Sequence, residues 1–139
     1  MTGESDSHRR AHNLAAVEAA FRGVGNADAT EQLVSYTDDI VFELPYTNPP
    51  KRIVGKDEAL NYLSAAFQIF RMTLTITEVH PCLDPDELIV EFISDGLVTT
   101  TGKTYANRYI NVFRFSDGRI CLQREFFNPN AAAQAIIPD

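Results

Sequence analysis

The chain has 139 residues, of which 45% are hydrophobic and 22% are charged, a composition typical of one globular domain. Its net charge of −7 disfavours nucleic-acid binding, because phosphates are neutralised by clustered Lys and Arg. Because no apolar run has membrane-spanning length and residues 1–10 lack a signal-peptide core, we expect a cytoplasmic protein without a membrane partner. Cys82 and Cys121 lack metal-type spacing, so we expect free thiols, with a disulfide as the alternative.

The first helices are predicted by apolar spacing and by capping residues. Residues 1–7 are small and polar, so we expect a disordered tail followed by a single domain over residues 8–139. Asp28, with Glu31 three residues later, has the form of a capping box that starts a short second helix. The first helix is predicted by four apolar residues at spacings of three and four: Leu14, Val17, Phe21 and Val24.

Residues 36–70 are predicted to form a turn, a short strand, a loop and a third helix. Residues 36–39 have turn composition, and residues 40–43 follow as a strand. Pro45 and residues 48–50 end this strand, because proline lacks a backbone donor and restricts its predecessor. The third helix is predicted by its apolar stripe: Ala59, Leu60, Leu63, Phe67 and Phe70.

The second half of the chain has the pattern of strands. Residues 72–77 alternate apolar residues with Thr, and residues 88–100 form a β-rich run in which residues 95–96 predict a bulge or a bend. Asn128 and Pro129 then predict the start of a short last helix. Helices followed by antiparallel strands indicate an α+β fold, in which a strongly bent sheet would enclose a cavity.

The stretch from residue 105 to residue 127 is predicted to be a β-hairpin that lines this cavity. Asp117-Gly118 separates two alternating runs, a strong hairpin signal. If the strands pair about this turn, Glu125 lies opposite Asn111 or Tyr109. One face then carries aromatic rings interleaved with polar side chains, which suits a ligand cavity better than a dry core: Tyr105, Asn107, Tyr109, Asn111, Phe113, Gln123, Glu125 and Phe127.

The polar residues of this face are the candidate site. A carboxylate among aromatic walls would be desolvated and suited to proton transfer, which makes Glu125 the candidate acid/base and Asn111 its catalytic partner. The alternative is a solvent-exposed Glu125, or one paired with Arg108. His8 and His12 lack a third ligand, so we expect no metal, and no cofactor either. The candidate substrate-binding residues are Asn107, Tyr109, Phe127, Gln123, Tyr46 and Tyr62.

Three stretches, residues 36–42, 55–57 and 111–120, resemble the NTF2-like superfamily, and within it the SnoaL-like and ketosteroid-isomerase-like branch. The resemblance extends over residues 14–135. Residues 124–128 also resemble the matching segment of the phenazine-biosynthesis A/B proteins. The resemblance implies a cone of strongly curved antiparallel sheet closed by the N-terminal helices, and a homodimer formed through the sheet.

The resemblance implies catalytic positions that this chain fills only in part. By resemblance to the isomerases, Asn111 takes the place of the donor Asp, whereas Leu44 and residues 20–21 fall where the base and the catalytic Tyr would be. By resemblance to the phenazine proteins, Glu125 matches an inward acid/base Glu, and Tyr62 falls where they have a His. The chain offers no match to the Asp-Arg-Asp set of the epoxide hydrolases that share this fold.

From these observations we favour a cofactor-independent enzyme of isomerase or lyase type, acting on a hydrophobic metabolite that bears a carbonyl group. Glu125 would move a proton, in an isomerisation, dehydration or cyclisation, while Asn111, Asn107 and Tyr109 hold the oxyanion. The alternative is a non-catalytic binding or dimerisation module of the same fold. A protein-binding adaptor would instead need an exposed apolar patch.

Overall fold

The computed structural model describes residues 5–139. Its elements are, in chain order, α1 (Asp6–Gly25), α2 (Ala29–Leu33), β1 (Tyr36–Leu44), β2 (Lys51–Val54), α3 (Lys56–Ile69), β3 (Phe70–Pro81), β4 (Glu87–Val98), β5 (Thr104–Ser116), β6 (Arg119–Phe127) and α4 (Pro129–Ile136). No helix within the described residues combines the length and the apolar character needed to cross a bilayer. Cys82 and Cys121 are free thiols, as expected.

The strands form one six-stranded curved sheet in the order β2-β1-β6-β5-β4-β3. The α+β fold, with N-terminal helices against a curved sheet, is therefore confirmed. All neighbouring strands are antiparallel except β1 and β6, which run parallel. This parallel pair was not expected, and it places the start of β1 beside the turn-proximal end of β6.

The core lies between α1 and the inner face of the sheet. The ring of Phe21 on α1 lies 4.6 Å from that of Phe92 on β4 and 6.4 Å from that of Phe113 on β5. Val17 and Ala20, on the same side of α1, are fully buried. The helical stripe predicted for α1 is thus the surface that packs on the sheet, where burying each large side chain contributes about 1.5–3 kcal/mol.

The hairpin formed by β5 and β6 has the predicted turn and one irregularity. Asp117 and Gly118 both have positive φ, 51° and 77°, as a two-residue turn of type I′ requires. The inner face of β5 alternates as predicted from Tyr105 to Phe115. In β6 the register shifts beside Cys121, so the strand can bury Ile120 and, further along, still turn Gln123 to the same side.

Five local predictions differ from the structure. α1 begins at Asp6 with Ser5 as its cap, so only residues 1–4 of the expected tail lie outside the described residues. Residues 36–39 are not a turn but the start of β1, and strand β2 lies between the loop predicted at Pro45 and residues 48–50 and the third helix. Phe70 begins β3 rather than ending α3. Residues 95–96 pair regularly, and the irregularity of this strand pair lies elsewhere, in β3 between Ile76 and Glu78, opposite residues 91–92.

Gly96 is a glycine because the neighbouring backbone leaves no room for a side chain. A Cβ atom there would lie 1.9 Å from the carbonyl oxygen of Arg71 on β3, and this atom belongs to the sheet backbone. At Gly25, near the end of α1, a Cβ atom would have no such neighbour within 4 Å.

We therefore expect Gly96→Ala to lower the free energy of unfolding by about 2–3 kcal/mol, because β3 and β4 must separate to admit the methyl group. Gly25→Ala is the matched control, and we expect it to leave stability unchanged or to raise it by about 0.5–1 kcal/mol. Urea unfolding of the three proteins measures both values. Equal stability of Gly96→Ala and the wild type would contradict this packing.

Candidate functional site

A cavity of about 630 Å³ opens between the inner face of the sheet, α3, α4 and the loop that follows β1. Most of its lining side chains are aromatic or aliphatic, as in sites for small apolar ligands. Among the described residues that line it, the only basic side chain is that of Lys51 and the only acidic side chain is that of Glu125. The apolar lining comprises Phe21, Val24, Phe42, Leu44, Leu63, Ala66, Phe67, Phe70, Met72, Leu74, Phe92, Phe127, Pro129, Ala132, Ala133 and Ile136.

Glu125 lies on β6, directly opposite Asn111 of β5, one of the two partners that the predicted hairpin allowed. Its side chain is half-buried, and its accessible part faces the cavity that it lines. The Oε1 atom accepts hydrogen bonds from Nδ2 of Asn111 at 3.1 Å and from Nε2 of Gln123 at 3.4 Å. Two amide donors therefore hold the carboxyl group of Glu125, the predicted acid/base, at the cavity wall.

Burial raises the pKa of Glu125 above its ordinary value, and the donors Asn111 and Gln123 oppose this rise without cancelling it. No ion pair to Glu125 is formed within residues 5–139. Arg108, the structural partner considered above, lies on the exposed side of β5. The site thus holds a carboxyl group whose proton is retained to higher pH than that of a surface glutamate.

A row of buried polar groups stands behind Gln123. The hydroxyl of Tyr36 donates to Oε1 of Gln123 at 2.5 Å, and Nε2 of Gln32 donates to the Tyr36 oxygen at 3.4 Å. Tyr36 was not among the predicted site residues, because the residues that follow it suggested a turn. Its burial raises the pKa of its hydroxyl, so Tyr36 stays a neutral donor.

A second polar cluster lies further along β5. The hydroxyls of Tyr105 and Tyr109 are 3.0 Å apart, and Tyr109 donates to Oγ of Ser94 on β4 at 2.9 Å. The Tyr109 ring stacks on Phe92 with a centroid distance of 4.5 Å. Burial raises the pKa of both tyrosines, so they offer neutral hydroxyls to the cavity rather than a titrating group.

Six of the eight predicted site residues line the cavity: Glu125, Gln123, Tyr109, Phe127, Tyr46 and Tyr62. Asn111 is fully buried behind Glu125, and its Nδ2 is used by that carboxyl group. The Asn107 amide bonds to the Tyr105 hydroxyl and to the backbone of Asn128, where α4 is capped. These two residues do not line the cavity, and their amide donors bond to neighbouring protein groups. Their contact with a substrate stays a prediction.

Lys51 is a cavity residue that the sequence did not indicate. It is the first residue of β2, a short strand that directly follows two prolines and was not predicted. Its ammonium lies 5.2 Å from the ring centroid of Tyr62, a favourable cation–π distance. Tyr62 itself has a raised pKa, mainly through burial and then through the charge of Glu125.

Potential metal ligands lie together at one place outside this cavity. Side-chain atoms of Glu78, His80 and Glu91 on β3 and β4 are all within 4.8 Å of one another. Nε2 of His80 is 2.6 Å from Glu91, a hydrogen bond that raises the pKa of the imidazole. The His80 imidazole and the Glu91 carboxylate thus form a side-chain pair between β3 and β4.

A family model for the SnoaL-like domain matches residues 14–123. The uncharacterized protein YesE of Bacillus subtilis is 36% identical over 103 residues, 72% of this chain and 70% of that protein. An uncharacterized PhzA/B-like protein of Pseudomonas aeruginosa is 30% identical over 119 residues, 84% of each chain. A solved Bacillus subtilis protein, provisionally named an isomerase, has a TM-score of 0.84 and 27% identity over 95% of each chain. The resemblance to SnoaL-like proteins that the sequence indicated is confirmed.

The raised pKa of Glu125 predicts the pH dependence of stability. Because the folded protein binds this proton more tightly than the unfolded chain, stability should fall as pH rises from the ordinary glutamate pKa through the raised one. Glu125→Gln keeps the acceptor atom for Asn111 and cannot ionise, so we expect it to lack this fall and to be more stable near neutral pH. Urea unfolding from about pH 4 to pH 8 tests this; parallel curves for the two proteins would contradict it.

Proposed function

The chain belongs to the SnoaL-like domain family, and from this membership we propose that it is a cofactor-independent acid/base enzyme. Its reaction is an isomerisation, dehydration or cyclisation, and its substrate is a hydrophobic metabolite that carries a carbonyl group. The observation that carries this proposal is one carboxyl group, Glu125, at the wall of a cavity lined mainly by apolar side chains. The names of the relatives, an isomerase and a PhzA/B-like protein, agree with this class of chemistry.

The two carboxyl oxygens of Glu125 have different surroundings. Both amide donors, from Asn111 and Gln123, reach Oε1, and within the described part of the chain no side chain donates to Oε2. In the proposed reaction Oε2 is the atom that removes a proton from the carbon next to the substrate carbonyl. The same atom then returns that proton to another carbon of the substrate, or to a departing hydroxyl group.

The negative charge that develops on the carbonyl oxygen needs a donor that faces the cavity. Tyr62 lines the cavity, and within residues 5–139 its hydroxyl has no hydrogen-bond partner. We therefore assign the oxyanion contact to Tyr62, with Tyr109 as the second cavity-facing hydroxyl. Asn111 acts on Glu125 instead, by holding Oε1.

The proposal predicts exchange of substrate protons with solvent. We expect the wild type, in D₂O, to replace the α-protons of a suitable hydrophobic ketone by deuterium, which proton NMR follows across a panel of ketones. Glu125→Gln should slow this exchange by about 10²–10⁴-fold, the usual contribution of a general base. Glu43→Gln is the matched control, because Glu43 bonds to Arg124 at 2.9 Å and does not line the cavity. Unchanged exchange by Glu125→Gln would contradict the proposed role.

The second candidate function is non-catalytic binding of the same kind of ligand. The size and aromatic character of the cavity favour it, because these features serve binding as well as catalysis. The exchange experiment separates the two functions. A ketone that saturates the cavity, seen by shifts of the Tyr109 and Phe127 signals, yet undergoes no exchange above the background rate, would favour the binding module.

We also propose that the protein is a cytoplasmic homodimer joined through the outer face of the sheet. Ile93, Leu97 and Ile110 on this face are between 39% and 46% exposed, and Ile110 pairs with Phe126 of β6. Apolar side chains grouped on an exposed sheet face are typical of a surface that a partner covers. The cytoplasmic location agrees with the two free thiols.

Light scattering after size exclusion should give twice the chain mass for the wild type and the single chain mass for Ile110→Lys, because a buried, unpaired charge opposes association. Val34→Lys is the matched control, since Val34 is 68% exposed and lies at the end of α2 rather than on the sheet. A monomeric wild type, or a dimeric Ile110→Lys, would contradict the proposed interface.

A further inference from the structure

Three hydrogen bonds connect α2 to the carboxyl group in the cavity. They run from Gln32 to Tyr36 at 3.4 Å, from Tyr36 to Gln123 at 2.5 Å, and from Gln123 to Glu125 at 3.4 Å. Gln32, Tyr36 and Gln123 are each at most 5% exposed, so bulk water does not compete for these bonds. The row thus joins three elements of the fold, α2, β1 and β6, to a single carboxyl oxygen.

The chemistry of Glu125 determines the direction of every bond in this row. An ionised carboxylate only accepts, so Gln123 must turn its Nε2 toward Glu125 and its Oε1 toward Tyr36. The hydroxyl of Tyr36 has one proton and must donate it to that oxygen. Tyr36 can then only accept from the next group, so Gln32 must present its Nε2.

One unpaired acceptor on Gln32, at the α2 end of the row, agrees with these donor directions. Oε1 of Gln32 is buried without a hydrogen-bond partner among the described residues, an arrangement that costs about 1–3 kcal/mol. A row arranged for stability alone has no reason to leave this acceptor unpaired. Asn111, the other amide that donates to Glu125, likewise leaves its Oδ1 buried without a partner among the described residues. On both sides of Glu125 the amides thus direct their donors toward Oε1 of the carboxyl group.

The fold holds Tyr36 rigidly in this row. Tyr36 is fully buried, and its ring stacks on that of Phe42 at 5.5 Å with an interplanar angle of 17°. The parallel pairing of β1 with β6 aligns Tyr36 with Ile120 and Phe42 with Gln123. The Tyr36 hydroxyl is therefore set by the sheet and cannot follow a rotation of the Gln123 amide.

We propose that Tyr36 is a positioning residue that acts on Glu125 through Gln123. By holding the Gln123 amide in one orientation, Tyr36 keeps Oε1 of Glu125 as an acceptor and leaves Oε2 as the oxygen that exchanges a proton with a ligand in the cavity. Its importance for turnover rests on the proposed acid/base function. Its effect on the ionisation of Glu125 does not, and can be measured without a substrate.

The groups around Glu125 allow a change in its titration to be assigned. Among them, the hydroxyls of Tyr36, Tyr62, Tyr105 and Tyr109 have raised pKa values and are neutral over the range in which Glu125 titrates. Lys51, elsewhere on the cavity lining, is unchanged in all the variants below. Loss of the Tyr36 hydroxyl therefore alters hydrogen bonding to Glu125 and removes no charge.

The test is the Glu125 titration midpoint, read from the carboxyl-carbon NMR signal in four proteins: wild type, Tyr36→Phe, Gln123→Leu and the double variant. We expect Gln123→Leu to raise the midpoint by about one pH unit, since a donor to the carboxylate is lost. Tyr36→Phe should raise it by a similar amount, since the Gln123 amide is no longer held with its Nε2 toward Glu125. The double variant should have the midpoint of Gln123→Leu alone, because Tyr36 acts only through Gln123. Additive shifts, or an unchanged midpoint in Tyr36→Phe, would overturn the proposal.

Two controls make this experiment decisive. Tyr105→Phe also removes a buried hydroxyl, but this hydroxyl bonds to Tyr109 and Asn107 rather than toward Glu125, so its shift should be much smaller than that of Tyr36→Phe. If Tyr36→Phe does not fold, the wild type provides the test. A slowly exchanging Tyr36 hydroxyl proton close to the Gln123 side chain is expected, and its absence would overturn the proposal.

The exchange assay separates this inference from the proposed function. If Glu125 is the base, Tyr36→Phe should move the pH profile of ketone exchange upward by the same amount as the NMR midpoint, without abolishing exchange. If no ketone exchanges but the coupled NMR shifts are found, the positioning role stands and the enzymatic proposal fails. If exchange depends on Glu125 but its pH profile is identical in Tyr36→Phe, the positioning role fails and the enzymatic proposal stands.

Discussion

Glu125 keeps an ionisable carboxyl group inside a cavity whose walls are mainly aromatic and aliphatic. Transfer of a carboxylate from water to such surroundings is unfavourable, and amide donors recover only part of the lost hydration. Asn111 and Gln123 supply that part, and the pKa of Glu125 nevertheless remains raised. This balance defines the site: fuller solvation would leave an ordinary surface glutamate, and loss of the amide donors would raise the pKa of the carboxyl group further.

The sheet is built in a way that maintains this balance. The hairpin register sets Asn111 opposite Glu125, and the parallel contact between β1 and β6 brings Tyr36 to Gln123. The shift of register beside Cys121 lets β6 bury Ile120 near the turn and still direct Gln123 inward. Each of these features is a property of strand pairing, so the carboxyl group is positioned by the hydrogen-bonded sheet.

Local patterns were sufficient to predict the helices, the hairpin and the inner face of β5. Asp117-Gly118 specifies its turn through two positive φ angles, and alternation along β5 specifies which side chains point inward. The carboxyl group itself was predicted in this way, since its neighbours on the inner face are aromatic and amide side chains. These features depend on residues close together in the chain, which is why the sequence reveals them.

Long-range pairing accounts for what the sequence did not reveal. Tyr36 precedes residues of turn composition, and only its pairing with β6 makes it part of a buried row. Alternation predicts the face on which Asn107 lies but not that Tyr105 and Asn128 occupy its amide. Lys51 follows two prolines, so neither strand β2 nor its place on the cavity lining was predicted. Which polar groups remain available to a ligand is thus a property of the assembled sheet.

The most direct test of this account is the titration of Glu125 in the wild-type protein, followed by the NMR signal of its carboxyl carbon, with Glu43 as an internal comparison. We expect a Glu125 midpoint clearly above the ordinary glutamate value, because burial outweighs its two amide donors. A midpoint at or below the ordinary value would mean that the carboxyl group is solvated or structural. That result would contradict a desolvated acid/base group in this cavity.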